Sequence, residues 1–173
     1  MIPKICLTAA GILIHEQKVL LVKHKKLGIW LNPGGHIEEN ELPHNAAERE
    51  FFEETGVRVA AVNTFAKRET HSDDTSFYVA NPILTNVHWV CKENFDERER
   101  AGEDYTRQKV WQRGCEQHCN FLYLVAPVAG VSLTEDTTET DGIGWFERTE
   151  IAALPTKENI RFEIEYVFSH LVQ

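Results

Sequence analysis

"GGHIEENELPHNAAEREFFEETGV", Gly34 to Val57, gathers seven glutamates and one arginine into a segment whose spacing predicts a helix. Pro43 suits a first helical position, and Gly56 supplies the stop because glycine tolerates the left-handed conformation that closes helices. The helix is therefore expected from Pro43 to about Glu54. At about 100° per residue, Glu50, Glu53 and Glu54 share one arc about 100° wide, with Glu53 and Glu54 on either side of Glu50. Ala47 and Phe51 lie beside that arc and can pack inward. Like charges at such spacings repel and destabilise a helix. The edge is thus either a solvated acidic face or the seat of a cation. Arg49 precedes Glu53 by four positions and can bridge to it or reach back to Glu41. Gly34 and Gly35 permit tight backbone turns and expose carbonyl oxygens. Clustered hard oxygens of this kind suit Mg²⁺ or Mn²⁺.

The spacing is Gly35, five residues, Glu41, seven residues, then Arg49-Glu50-Phe51-Phe52-Glu53-Glu54-Thr55-Gly56-Val57. It resembles the Nudix box, the signature of hydrolases acting on nucleoside diphosphates linked to another moiety. Phe51 departs from it in being bulkier than the aliphatic residue usual there. The resemblance implies an α/β (α+β) chain folded as a Nudix-like α/β/α sandwich with a mixed sheet, and a divalent-metal-dependent pyrophosphohydrolase. It implies that Glu50, Glu53 and Glu54 bind the metal, with Glu53 or Glu54 as base for the attacking water and the Gly34 carbonyl completing the coordination. Gly35, Glu41, Arg49 and Gly56 would support the box, Arg49 and Glu41 as a salt bridge. In some relatives a further catalytic glutamate precedes a strand tryptophan, and Glu139, ahead of "TDGIGW", matches that position.

Composition sets the limits. At 173 residues the chain suits one domain, 1–173, large enough to bury a core. A net charge of −9 argues against general nucleic-acid binding and against an anionic membrane surface. It leaves room for an anionic small substrate if a bound cation reverses the local sign. The opening "ICLTAAGILI" is read with "KVLLVKH" as a strand hairpin rather than a signal peptide, which predicts a cytoplasmic protein. No run approaches the roughly 20 apolar residues that span a membrane. A nucleotide is the expected small-molecule partner, and a homodimer is left open.

Along the chain, Ile5 to Ile14 and Lys18 to His24 are expected to pair around "HEQK". "VRVAAV" begins another strand, and Phe77 to Val90 holds one or two more with a break at Pro82. Residues 92–113 carry six acidic and six basic side chains and form a charged insertion. A solvated, opposite-charge helix or a mobile insertion is the reading favoured there, over a lid or dimer arm that supplies arginines to phosphate. "CNFLYLVAPV" has the continuous apolar pattern of a central strand. "DGIGWFE" is another strand and "RTEIAAL" a brief helix. Ile160, Ile164, Val167, Phe168 and Leu171 recur at the spacing of a closing amphipathic helix.

Among other polar and aromatic residues, Trp30, His36 and Arg68 are the candidate substrate contacts, through base stacking and phosphate. His71 and His118 are weaker ones. His88, Cys91, Cys115, His118 and Cys119 include the residue types that hold zinc. However, strand alternation scatters the residues from Cys115 onward over two faces, so no structural zinc is expected at Cys91, Cys115 and Cys119. The substrate remains divided between nucleoside triphosphates and a nucleoside diphosphate sugar such as ADP-ribose. ADP-ribose-type relatives often carry a proline shortly after the box, and here the next one is Pro82. A non-catalytic Nudix-like sensor and an isopentenyl-diphosphate-isomerase-like enzyme are the rival readings. The intact glutamates count against the first, and the absence of the isomerase cysteine motif counts against the second.

Overall fold

The computed structural model describes residues 1–63, 73–103, 114–134, 138 and 140–171. In chain order the elements are β1 (Ile5–Ile12), β2 (Ile14–His15), β3 (Lys18–His24), β4 (Ile29–Leu31), β5 (Gly34–His36), α1 (Pro43–Thr55), β6 (Val59–Ala61), β7 (Leu84–Trp89), α2 (Lys92–Ala101), β8 (Gln117–Pro127), β9 (Thr140–Glu147), a 3₁₀ turn (Arg148–Ala153) and α3 (Glu158–His170). Strand β8 is central, as its apolar run predicted. It runs parallel to β1 along one edge, and β6 and β7 pair antiparallel with successive parts of the other. Strand β5 closes the far side of β1, so this sheet is mixed. A second sheet places β3 between β9 and the short β2 and β4.

Alternation along the strands divides the core in two. Ala9, Leu20, Tyr123 and Val125 face α1, where Ala46, Ala47 and Phe51 are fully buried. Ala10, Leu21 and Leu122 face the other way, onto Ile164, Val167 and Phe168 of α3 and Ile151 of the 3₁₀ turn. A strand buried on both faces needs a covering layer on each, and α1 and α3 supply the two outer layers. The expected α/β/α arrangement with a mixed sheet is what the chain forms. Phe51, the bulky departure in the box, is accommodated by Gly11: a Cβ there would meet its ring at 2.8 Å.

One strand pairing differs from the sequence reading. β1 does not pair with β3; only Ile14 and His15 do, around Glu16 and Gln17 at φ 48° and 63°. The first strand is claimed by β8 over eight residue pairs, and the hairpin is left to the two residues beyond it. The segment from Phe77 yields the single strand β7, which begins after Pro82. No helix among the described residues is long and apolar enough to cross a membrane.

The charged insertion also needs correction. Its helix, α2, is present, but Arg98 is 1% exposed rather than solvated. The Arg98 guanidinium donates to both Glu116 oxygens at 2.6 and 3.0 Å and to the Ile2 carbonyl at 2.9 Å. Glu116 also accepts from the Lys4 N–H at 2.8 Å. Burial works to raise the Glu116 pKa, but the hydrogen bonds from Arg98 and Lys4 outweigh it and hold the carboxyl below its ordinary range. This arginine is a structural clamp, not a free phosphate ligand. Residues 104–113 of the insertion lie outside the described residues.

Candidate active site

Helix α1 runs from Pro43 to Thr55 and ends on Gly56 at φ 73°, whose N–H returns to the Phe52 carbonyl. Its inner face is fixed by Ala46, Ala47 and Phe51, which turns the glutamate arc toward β5. Glu54 is 8% exposed, and one of its oxygens accepts from the Gly34 N–H at 2.9 Å. Glu50 lies against Gly35 so closely that a Cβ on that residue would meet its carboxyl carbon at 2.4 Å. Gly35 thus lets the Glu50 carboxylate sit on bare backbone, while Gly34, pressed against Ala9 and Ala10 of β1, offers its N–H to Glu54. Glu53 stands further out, half exposed.

Arg49 organises the acidic edge. It forks onto Glu41 through Nε and Nη2, both at 2.9 Å, and reaches Glu50 at 2.8 Å and Glu53 at 3.1 Å through Nη1. Nη2 also donates to the His36 carbonyl at 3.0 Å, which ties the helix to β5. The hydrogen bonds from Arg49 hold the Glu41 carboxyl below its usual range against an opposing effect of burial. Those bonds, with Glu41 first, push the guanidinium further toward its charged form. A planar fork paired with a carboxylate is geometrically specific in a way a lysine ammonium is not.

Beside this edge opens a cavity of about 430 Å³. Gly34, Gly35 and Glu54 form part of its wall, and Asn32 and Glu163 another part. The carboxyl of Glu163, 2% exposed, accepts from Asn32 at 3.0 Å and from Asn86 at 2.7 Å. Burial pushes its pKa up to about 7, with the asparagine hydrogen bonds holding it back. The buried Asn32 Oδ1 has no hydrogen-bond partner among the described residues. An orphaned buried acceptor is costly unless a ligand or water satisfies it. Lys26 and Lys157 bring positive charge to the same wall. His36 and His118 also line the cavity. Burial drives His118 down to about 4, and the neighbouring His36, His88 and Lys157 add to the effect.

Trp30 falls outside this cavity wall. Trp30 packs edge-on against Phe146, with ring centroids 4.6 Å apart, in the cluster beneath α3. Arg68, His71 and Glu139 lie outside the described residues. Glu163, Asn32 and Asn86 escaped the sequence reading. The usable signal was a glutamate between Ile160 and Ile164 on the apolar helix: a carboxylate on the buried side of such a helix needs a partner or a purpose.

The profile of the NUDIX domain matches residues 7–166. A bovine (Bos taurus) diphosphoinositol polyphosphate phosphohydrolase 3-beta is 27% identical over 135 residues, 73% of this chain and 82% of that protein. A putative 8-oxo-dGTP diphosphatase of Bacillus subtilis is 43% identical over 49 residues, 28% of this chain and 33% of that protein. The matched stretches span about a third of the length of the first curated relatives. Among solved structures, a NUDIX-family hydrolase from Clostridium perfringens superposes with a TM-score of 0.71 at 25% identity, covering 96% of this chain and 97% of that one.

Proposed function

Because this chain belongs to the NUDIX family, we propose that it is a divalent-metal-dependent pyrophosphohydrolase that cleaves the diphosphate linkage of a nucleotide derivative. The observation that carries this reading is the pair of carboxylates, Glu50 and Glu54, held against the Gly34-Gly35 backbone, with Glu54 and both glycines in the cavity wall. Mg²⁺ or Mn²⁺ fits the donor set of Glu50, Glu53 and Glu54 with the Gly34 carbonyl, since all are hard oxygens. When bound, such an ion offsets the charge of the diphosphate and lowers the pKa of the attacking water.

The chain's own residues divide the remaining work. Glu53, at the open edge, and Glu54, fixed by the Gly34 N–H, are the carboxylates suited to take a proton from water. Glu139, just ahead of β9, is a third candidate for that role. Arg49 is a positioning residue: its Nη1 holds both Glu50 and Glu53, and its Nη2 keeps the helix edge against β5. His36, next to the glycines, and Arg68 are the phosphate contacts in this reading. Because the Trp30 ring is engaged with Phe146, the nucleobase contact passes to Asn32 and Glu163. The orphaned Asn32 Oδ1 accepts from a base amine. Burial favours the neutral form of Glu163, and a protonated carboxyl can donate as well as accept.

The name of the B. subtilis relative supports placing nucleoside triphosphates ahead of nucleoside diphosphate sugars such as ADP-ribose. The test is a product-release screen over ribo- and deoxyribonucleoside triphosphates, ADP-ribose and other nucleoside diphosphate sugars, with Mg²⁺ or Mn²⁺. Phosphate, pyrophosphate or a nucleoside monophosphate should be released from at least one member, and EDTA should abolish that release. Binding without turnover of any member would replace the enzyme with a non-catalytic nucleotide sensor.

A further inference from the structure

A second group of ligand-type side chains stands apart from the acidic edge. Cys6 Sγ lies 2.8 Å from Cys115 Sγ, and His36 Nε2 lies 3.1 Å from the same sulfur. These three ligand atoms all fall within 4.8 Å of one another. The strand order produces the meeting. In the parallel register Cys6 is opposite His118, while Thr8, two residues on and on the same face, is opposite His36 of β5. Cys115 arrives just ahead of β8, beside the Glu116 carboxyl that Arg98 and the Lys4 N–H hold in place. Three separate chain segments thus deliver two thiols and an imidazole to one point.

We propose that Cys6, His36 and Cys115 form a second metal site, suited to a zinc-type divalent ion and separate from the carboxylate edge. Thiolate and imidazole donors favour such borderline ions over Mg²⁺, so the two sites select different metals by donor chemistry. Zinc bonds of about 2.3 Å to sulfur and about 2.0–2.1 Å to nitrogen place tetrahedral ligands about 3.5–3.8 Å apart. The two contacts to Cys115 Sγ, at 2.8 and 3.1 Å, therefore need to lengthen by about 1 Å or less, within reach of small side-chain rotations. Three protein ligands leave a fourth position open, the pattern of sites that keep an exchangeable ligand.

His118 stands beside the trio, edge-on to His36 with centroids 5.0 Å apart, and its buried Nε2 has no partner among the described residues. That orphaned nitrogen points to a water or ligand on this side of the site. Since His36 and His118 both line the cavity, the open position adjoins the space assigned to substrate. An ion here also pins His36, whose carbonyl accepts from Arg49. The set weighed from sequence differs: Cys91 turns to Glu93 at 3.5 Å, and Cys119 is not part of the group.

The experiment is a Co²⁺ titration of reduced, metal-stripped protein in excess Mg²⁺ under anaerobic conditions. One cobalt per chain should bind with thiolate-to-cobalt charge-transfer absorption and tetrahedral visible bands, and equimolar Zn²⁺ should bleach them. The charge-transfer band should vanish in Cys6→Ser and in Cys115→Ser and persist in Cys91→Ser. His36→Ala, at an exposed position, should weaken cobalt binding by tenfold or more while retaining thiolate absorption. Absence of the thiolate band in the wild type would overturn the site and leave Cys6 and Cys115 as a dithiol only. A band that survives both serine substitutions would overturn it equally.

Discussion

Glu54→Gln is expected to lower turnover by about 10²–10⁴-fold, the usual contribution of a positioned carboxylate acting in acid–base chemistry, while the protein stays folded. The side chain is 8% exposed and accepts the Gly34 N–H, a bond that the amide oxygen of glutamine can also accept. Shape and hydrogen bond survive, and the charge is lost. Steady-state rates on the best substrate of the screen, beside matched circular-dichroism spectra and melts, separate the two effects. Near-normal turnover by a well-folded variant would remove Glu54 from the chemistry.

The largest expected loss of stability lies far from the box. Arg98→Leu leaves Glu116 buried without its guanidinium, and breaking such a pair from one side typically costs about 3–5 kcal/mol. For a domain of this size each kcal/mol moves Tm by roughly 2–4 °C, so the midpoint should fall by roughly 10 °C. The double variant Arg98→Leu/Glu116→Leu should recover much of that loss, because no buried charge then stands alone. Urea unfolding of the three proteins measures it. A single variant within about 1 kcal/mol of wild type would show that water reaches Glu116 freely.

What was legible in the sequence was what short range decides. Pro43 and Gly56 bound α1 because capping chemistry is local, and the arc of Glu50, Glu53 and Glu54 follows from helical periodicity alone. The apolar run from Cys119 marked β8 as central for the same reason. The misplaced partner of β1 has a long-range cause. "HEQK" does form a turn, but which strand lies beside Ile5–Ile12 is settled by residues 117–124. The burial of Arg98 and Glu163 and the meeting of Cys6, His36 and Cys115 depend on that same strand order. Each joins residues at least 18 positions apart, so no local pattern names the partners, even where, as at Glu163 beside Ile164, the helical spacing marks the side chain as inward-facing.

Thermal melts of wild type and Glu53→Gln, each in EDTA and in Mg²⁺, test most directly whether the crowded glutamates exist to hold a cation. Arg49 already bridges Glu41, Glu50 and Glu53. Removing one exposed carboxylate should therefore leave stability in EDTA at or slightly above that of wild type. Mg²⁺ at 100 times its dissociation constant should stabilise the wild type by about 2.7 kcal/mol, and Glu53→Gln should gain distinctly less at the same concentration. An equal gain in both proteins would contradict the assignment of this helix edge as the metal site.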